Sequence, residues 1–125
     1  MEGEKKKILV VDDEENYIKA YKRLFRQTEY EIFTAMSGIE AINSVHTNHP
    51  DLVILDVNMP GGGGDDVYDL LRMSQSTERI PVIFVSGEDL AALRNNFTFI
   101  NQDNYMPKPF DSEELIEKVN GLLRN

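Results

Sequence analysis

The 125-residue chain contains no cysteine, which excludes disulfides and thiolate zinc sites and fits a reducing compartment. No apolar run approaches the ~18 residues that a membrane-spanning helix needs. The first seven residues carry charge but lack the apolar stretch of a signal peptide. Basic residues are also scarce: 13 Lys and Arg stand against 22 Asp and Glu, a net charge of −9. That balance argues against the domain gripping nucleic acid or anionic lipid directly. Lys5, Lys6 and Lys7 form the one basic run and read as a solvated lead-in, so that residues 1–6 are expected to be a flexible charged segment. These absences together point to a cytoplasmic protein.

What is present is ordinary for a globular domain: 41% apolar and 28% charged residues. The length suits one domain over residues 1–125, large enough for a single sheet covered by helices. Strand and helix patterns alternate along it. Residues 8–11 are a short β-branched run. From 14 to about 27, Tyr17, Ile18, Tyr21, Leu24 and Phe25 recur at helical spacing. A strand is expected at 30–35 and a short helix at 38–45, with Ile39, Ile42 and Val45 on one face. Pro50 precedes a strand at 52–55. Residues 65 to about 73 carry Val67, Leu70 and Leu71. Pro81 opens a strand at 81–85, a position that suits a residue without an N–H. Leu90, Leu93, Phe97 and Ile100 suggest a fourth helix, and Tyr105 and Met106 a last short strand. Asp111 with Glu114 has capping-box spacing ahead of Leu115, Ile116, Val119, Leu122 and Leu123. Five strand–helix units imply a doubly wound parallel α/β sheet with right-handed crossovers.

Three aspartates and one lysine carry the chemistry. Asp12 and Asp13 directly follow the first apolar run, and Asp56 follows the third. Open α/β sheets bind ligands beyond the carboxyl ends of their strands. Gathered carboxylates repel one another, so a cation or raised pKa values must accompany them. A hard divalent cation with oxygen ligands is the natural partner. Lys108 lies in the stretch Tyr105, Met106, Pro107, Lys108, Pro109, Phe110.

These pieces, in this order and spacing, resemble the receiver domain of bacterial two-component response regulators. The resemblance rests on Val11, Asp12, Asp13 and Glu14; on Asp56, Val57, Asn58, Met59 and Pro60 with Gly64 eight residues past the aspartate; on Ser86 and Gly87; and on Lys108, Pro109 and Phe110. It covers essentially the whole chain. It implies a five-stranded flavodoxin-like sheet in the order 2-1-3-4-5, with helices on both faces and the switch point beside Asp12, Asp13 and Asp56.

The resemblance also implies roles. Asp56 would accept a phosphoryl group from a phosphohistidine of a sensor histidine kinase or phosphotransfer protein. Mg²⁺ would be held by Asp13, Asp56 and the main-chain carbonyl of Asn58, with Asp12 reaching it through water. Lys108 would supply positive charge to the phosphoryl oxygens, and Ser86 a hydroxyl, with Gly87 leaving room. Asn58 and Glu88 would flank the line of water attack and tune dephosphorylation. Ser86 and Tyr105 would form the switch, the Lys108–Pro109 bond would be cis, and the face built by the fourth helix, fifth strand and fifth helix (Leu90, Leu93, Phe97, Tyr105 and parts of 113–124) would meet an output domain, a target protein or a second receiver. Such a domain catalyses only its own phosphorylation and dephosphorylation.

Other readings stand beside this one. The chain could be a receiver-shaped binding module that is never phosphorylated, although such modules typically lose an acid or the lysine and none is lost here. A metal-dependent phosphatase would need a substrate pocket for which the sequence offers no residues. Four of the eight glycines run at 61–64, but Asp65 and Asp66 follow where a Walker motif needs Lys and Ser or Thr, so a flexible loop is expected. His46 and His49 read as surface-loop residues, and Phe97 and Phe99 as core or partner-facing aromatics. Asn101 and Gln102 replace the Gly-Ala pair usual before the last strand, with Asn101 able to end the fourth helix in the left-handed region.

Overall fold

Residues 4–59 and 64–124 are described by a computed structural model of the chain. Pro60 and the glycine run through Gly63 therefore lie outside the described residues, as does the expectation of a flexible loop there. The elements alternate as β1 (Lys7–Val11), α1 (Glu15–Phe25), β2 (Glu31–Ala35), α2 (Gly38–Asn48), β3 (Leu52–Asp56), α3 (Gly64–Arg72), β4 (Val82–Ser86), α4 (Leu90–Arg94), β5 (Tyr105–Pro107) and α5 (Ser112–Leu123). All strands pair in parallel in the order β2-β1-β3-β4-β5. This is the doubly wound sheet that the alternating pattern implies.

Strand periodicity divides the interior in two. Leu9, Val11, Val53, Leu55, Val82 and Phe84 face a core completed by α2, α3 and α4. Ile8, Val10, Leu52, Ile54, Ile83 and Val85 face the other, completed by Ile18, Tyr21 and Phe25 of α1 and Leu115 and Val119 of α5. Each fully buried Leu, Ile or Val contributes roughly 1.5–3 kcal/mol. A floor of that size can hold unfavourable charge at its edge.

Local chemistry sets the helix ends. Ser37, Asp89 and Asp111 each accept the N–H three residues on, capping α2, α4 and α5. Helix α2 runs past the expected Val45 to Asn48, whose amide donates to Ser44 Oγ at 2.8 Å. His46 is thus helical, and His49 ends the helix in the left-handed region at φ 51°. Lys7 belongs to β1 and is no solvated lead-in: its N–H donates to Asp51 Oδ2 at 2.8 Å and its ammonium to Asn48 O at 3.2 Å.

The fourth helix is the main correction. It stops at Arg94, so Phe97 and Ile100 lie beyond it and Asn101 does not end it. Asn95 caps it at φ −65° and Asn96 follows. Asn side chains compete for backbone hydrogen bonds and favour turns over helix interiors. Asn101 instead closes a turn, accepting from Asp103 N–H while its own N–H donates to Asn104 Oδ1, both at 2.8 Å. Phe99 stacks on Tyr68 at 4.2 Å and meets Phe84 and Phe97, so Phe97 and Phe99 are half-buried aromatics packed against the core. Three residues placed in core stripes are exposed: Ile39 (78%), Leu70 and Leu122. Leu93, assigned above to an interaction face, is fully buried.

Candidate functional site

The parallel register brings the four strand ends to one edge. Asp12 follows β1, and its N–H donates to Ala35 O at the end of β2 at 3.0 Å. Asp56 closes β3, Ser86 closes β4, and Lys108 follows β5 with its N–H donating to Ser86 O at 2.8 Å. The Lys108–Pro109 bond is cis, as expected.

Asp12 and Asp56 are 1% and 3% exposed, which is rare for carboxylates without partners. Their partners converge. Asp12 Oδ1 accepts Glu14 N–H at 2.8 Å, and Asp56 Oδ1 accepts Asn58 N–H at 3.0 Å. The Lys108 ammonium donates to Asp56 Oδ2 at 3.2 Å and to Glu14 Oε1 at 3.0 Å. It also lies 2.9 Å from Asp12 Oδ2, an ion-pair approach off the hydrogen-bond line that leaves this buried oxygen without a hydrogen bond. Burial raises the Asp12 pKa and the charge of Asp56 adds to this, against the Glu14 N–H and Lys108, which lower it. Burial alone would lower the Lys108 pKa, but Asp12, Glu14 and Asp56 outweigh it and hold the ammonium charged well above its ordinary range.

Carboxylate oxygens of Asp12, Asp13, Glu14 and Asp56 lie within 4.8 Å of one another. One lysine against four carboxylates leaves excess negative charge, and the buried Asp12 Oδ2 is met by the Lys108 ammonium at 2.9 Å but accepts no hydrogen bond. The donor set is all oxygen and includes half-buried Asp13, which fits a hard divalent ion such as Mg²⁺. Beside it a cleft of about 400 Å³ is lined by Glu14, Asp56, Asn58, Gly87, Glu88 and Lys108. A Cβ added at Gly87 would meet nothing within 4 Å, so the space left there is open cleft.

Ser86 is buried, and its hydroxyl donates to Asn58 Oδ1 at 2.5 Å while accepting Glu88 N–H at 3.0 Å. Tyr105 is half-buried, and its hydroxyl donates to Glu88 O at 2.7 Å. The site therefore gathers the residues singled out from sequence: Asp12, Asp13, Asp56, Asn58, Ser86, Glu88 and Lys108, with Tyr105 one hydrogen bond away.

Three of its features escaped the sequence. Glu14 was part of a motif with no role assigned, yet it shares the Lys108 ammonium. Tyr17 was read as a core-stripe residue, yet Lys108 Nζ sits 4.1 Å from its ring centroid. The Ser86–Asn58 bond joins residues 28 positions apart. Only the spacing of Tyr17, one helical turn past Asp13, hinted at its reach toward the site.

The response regulator receiver domain family matches residues 8–120. The chain belongs to that family. As a receiver domain it is 34% identical over 119 residues to the alkaline phosphatase synthesis transcriptional regulatory protein PhoP of Bacillus subtilis, covering 95% of this chain and 49% of that protein. It is 35% identical over 118 residues to the transcriptional regulatory protein PrrA of Mycobacterium tuberculosis, covering 94% and 50%. The receiver thus spans about half the length of the curated relatives it matches. Among solved structures it superimposes on the Francisella response regulator 1452 receiver domain with a TM-score of 0.82 and 30% identity, covering 95% and 97%. The chemotaxis protein CheY4 of Vibrio cholerae gives 0.86 and 25%, covering 96% and 100%. The acidic pocket of Asp12, Asp13 and Asp56 with Lys108 is consistent with a phosphoacceptor site. Among the described residues no helix is long and apolar enough to cross a membrane.

Proposed function

We propose that this receiver takes a phosphoryl group on Asp56 from the phosphohistidine of a sensor histidine kinase or phosphotransfer protein, and so switches the binding of a partner. The observation that carries the reading is the placing of Lys108 Nζ 3.2 Å from a buried Asp56 carboxylate inside a ring of further acids. Phosphoryl transfer demands positioning and charge neutralisation more than covalent chemistry from the protein. An Asp56 carboxylate oxygen attacks phosphorus, the P–N bond breaks with its electron pair returning to the imidazole nitrogen, and solvent protonates the leaving imidazole. The attacking carboxylate needs no base. Lys108 follows the transferred oxygens, and the Ser86 hydroxyl can donate to one of them. Asp13, Asp56 and the Asn58 carbonyl would hold Mg²⁺, with Asp12 behind a water; when bound, the ion supplies positive charge to the phosphoryl oxygens. Hydrolysis reverses the state: water attacks phosphorus, the acyl O–P bond breaks, inorganic phosphate leaves with the water's oxygen, a proton passes to solvent, and the Asp56 carboxylate is restored. Asn58 and Glu88 line the cleft from which that water comes.

The output we assign to the face of α4, β5 and α5, with Leu90, Phe97, Tyr105 and exposed residues of α5, and to an output domain, target protein or second receiver as its partner. A cytoplasmic setting without direct nucleic-acid contact follows from the same reading. Incubation with Mg²⁺ and acetyl phosphate or phosphoramidate, followed by intact mass, tests it. A single phosphoryl adduct is expected, absent in Asp56→Asn. No adduct would favour a binding module that is never phosphorylated.

A further inference from the structure

The Lys108 ammonium has three N–H donors. Two point to Glu14 and Asp56, and Asp12 lies close without a hydrogen bond. What closes the remaining side is aromatic. Nζ lies 4.1 Å from the Tyr17 ring centroid. That ring is itself backed: Tyr17 meets Phe110 at 6.1 Å, and Phe110 stacks on buried Tyr21 at 4.9 Å and 20°. Phe110 stands two residues past Lys108, so the loop after β5 is tied to α1 through Phe110 on Tyr21 and through Lys108 under Tyr17.

On the phosphoacceptor reading, on which this inference rests, we propose that Tyr17 is a positioning residue for Lys108. Its ring face confines the ammonium over Asp56 while leaving it free to slide toward an arriving phosphoryl group. A carboxylate in the same place would hold the lysine by directional bonds and add negative charge where a dianion must enter. The quadrupole of a ring attracts the cation without net charge, and the attraction varies gently as the cation moves across the face. The ring and the three carboxylates together enclose a lysine side chain that is only 8% exposed. Tyr17 is half-buried, packed against the core from its rim, with Lys108 Nζ over its ring.

The test compares Tyr17→Phe, which keeps the ring, with Tyr17→Leu, which keeps bulk. Phosphoramidate with Mg²⁺ is the phosphodonor, and adduct formation is followed by intact mass. The Leu variant is expected to react about 2- to 30-fold more slowly and the Phe variant at the native rate. In a Lys108→Met background the Leu substitution should cause no further loss, a coupling that a merely structural role would not produce. The Lys108 ε-methylene protons should be ring-shifted upfield in the native and Phe proteins and relaxed in the Leu variant. If the native protein forms no adduct, the phosphoacceptor reading fails and takes this inference with it. If the native protein reacts and Tyr17→Leu matches it, or if the native lysine shows no ring shift, the inference alone is overturned.

Discussion

The Ser86 hydroxyl spends its single proton on Asn58 Oδ1, at 2.5 Å, and holds Glu88 N–H with its lone pair at 3.0 Å. The group expected to follow the phosphoryl oxygen is thus bonded, in this state, to both residues expected to flank the attacking water. Ser86 can donate to a phosphoryl oxygen only by leaving Asn58. That departure releases the Asn58 side chain beside the cleft.

Phosphoryl lifetime should depend on this arrangement. Polar side chains at 58 and 88 can admit and orient water. The Asn58→Met, Glu88→Leu double variant is expected to keep its phosphoryl group roughly tenfold longer than the native protein, a barrier change of ~1.4 kcal/mol. Decay of the isolated phosphoprotein by intact mass measures this, and equal or slower native decay would refute it.

Acid stability should carry the signature of Asp12. Its pKa is raised in the fold, chiefly by burial, above the ordinary 3.8. The folded chain therefore binds this proton more readily than the unfolded chain. The associated stability is fully present below 3.8 and is lost as pH rises through the folded value. Melting in EDTA should show Asp12→Asn more stable than native at neutral pH, with the gap narrowing toward acid. A native protein more stable than the variant at pH 7 in EDTA would contradict this.

Mg²⁺ should act in the opposite direction. An ion bound only by the folded state stabilises it by linkage, about 1.4 kcal/mol at ten times its dissociation constant. Millimolar Mg²⁺ should therefore raise the melting temperature by a few degrees. Asp13→Ala should remove the rise and slow adduct formation. No Mg²⁺ effect in the native protein would sink the ligand assignment.

The output face is tested by hydrogen exchange with and without beryllofluoride. Tyr105 is tethered to the Glu88 carbonyl at 2.7 Å, so movement of the Ser86 loop pulls on it directly. Protection is expected to change in α4, β5 and α5. A change confined to the loop after Asp56 would count against the switch.

The fold was legible where one physical term dominates. Residues 8–11, 52–55 and 81–85 are uninterrupted apolar runs, and burial decides them. Boundaries slipped where local bonds compete. Phe97 and Ile100 keep helical spacing, yet Asn95 and Asn96 end α4 before they are reached. Helix α2 gains a turn from the Asn48–Ser44 bond and a stop from left-handed His49, neither visible in hydrophobic spacing. In the site, the aspartates and the lysine were readable because strand ends share an edge. Glu14 and Tyr17 were not, since their roles depend on where a single ammonium comes to rest.

The sheet's alternation keeps its two cores apart. Ile54 packs toward α1 and α5, while its neighbours Val53 and Leu55 pack toward α2, α3 and α4. The edge that carries the acidic pocket touches both layers: Lys108 and Phe110 lean on α1, while Met59 and Tyr105 lean on the opposite side. On the proposed function, a phosphoryl group on Asp56 would therefore bear on both layers at once, which is where the α4 and α5 sides of the output face lie.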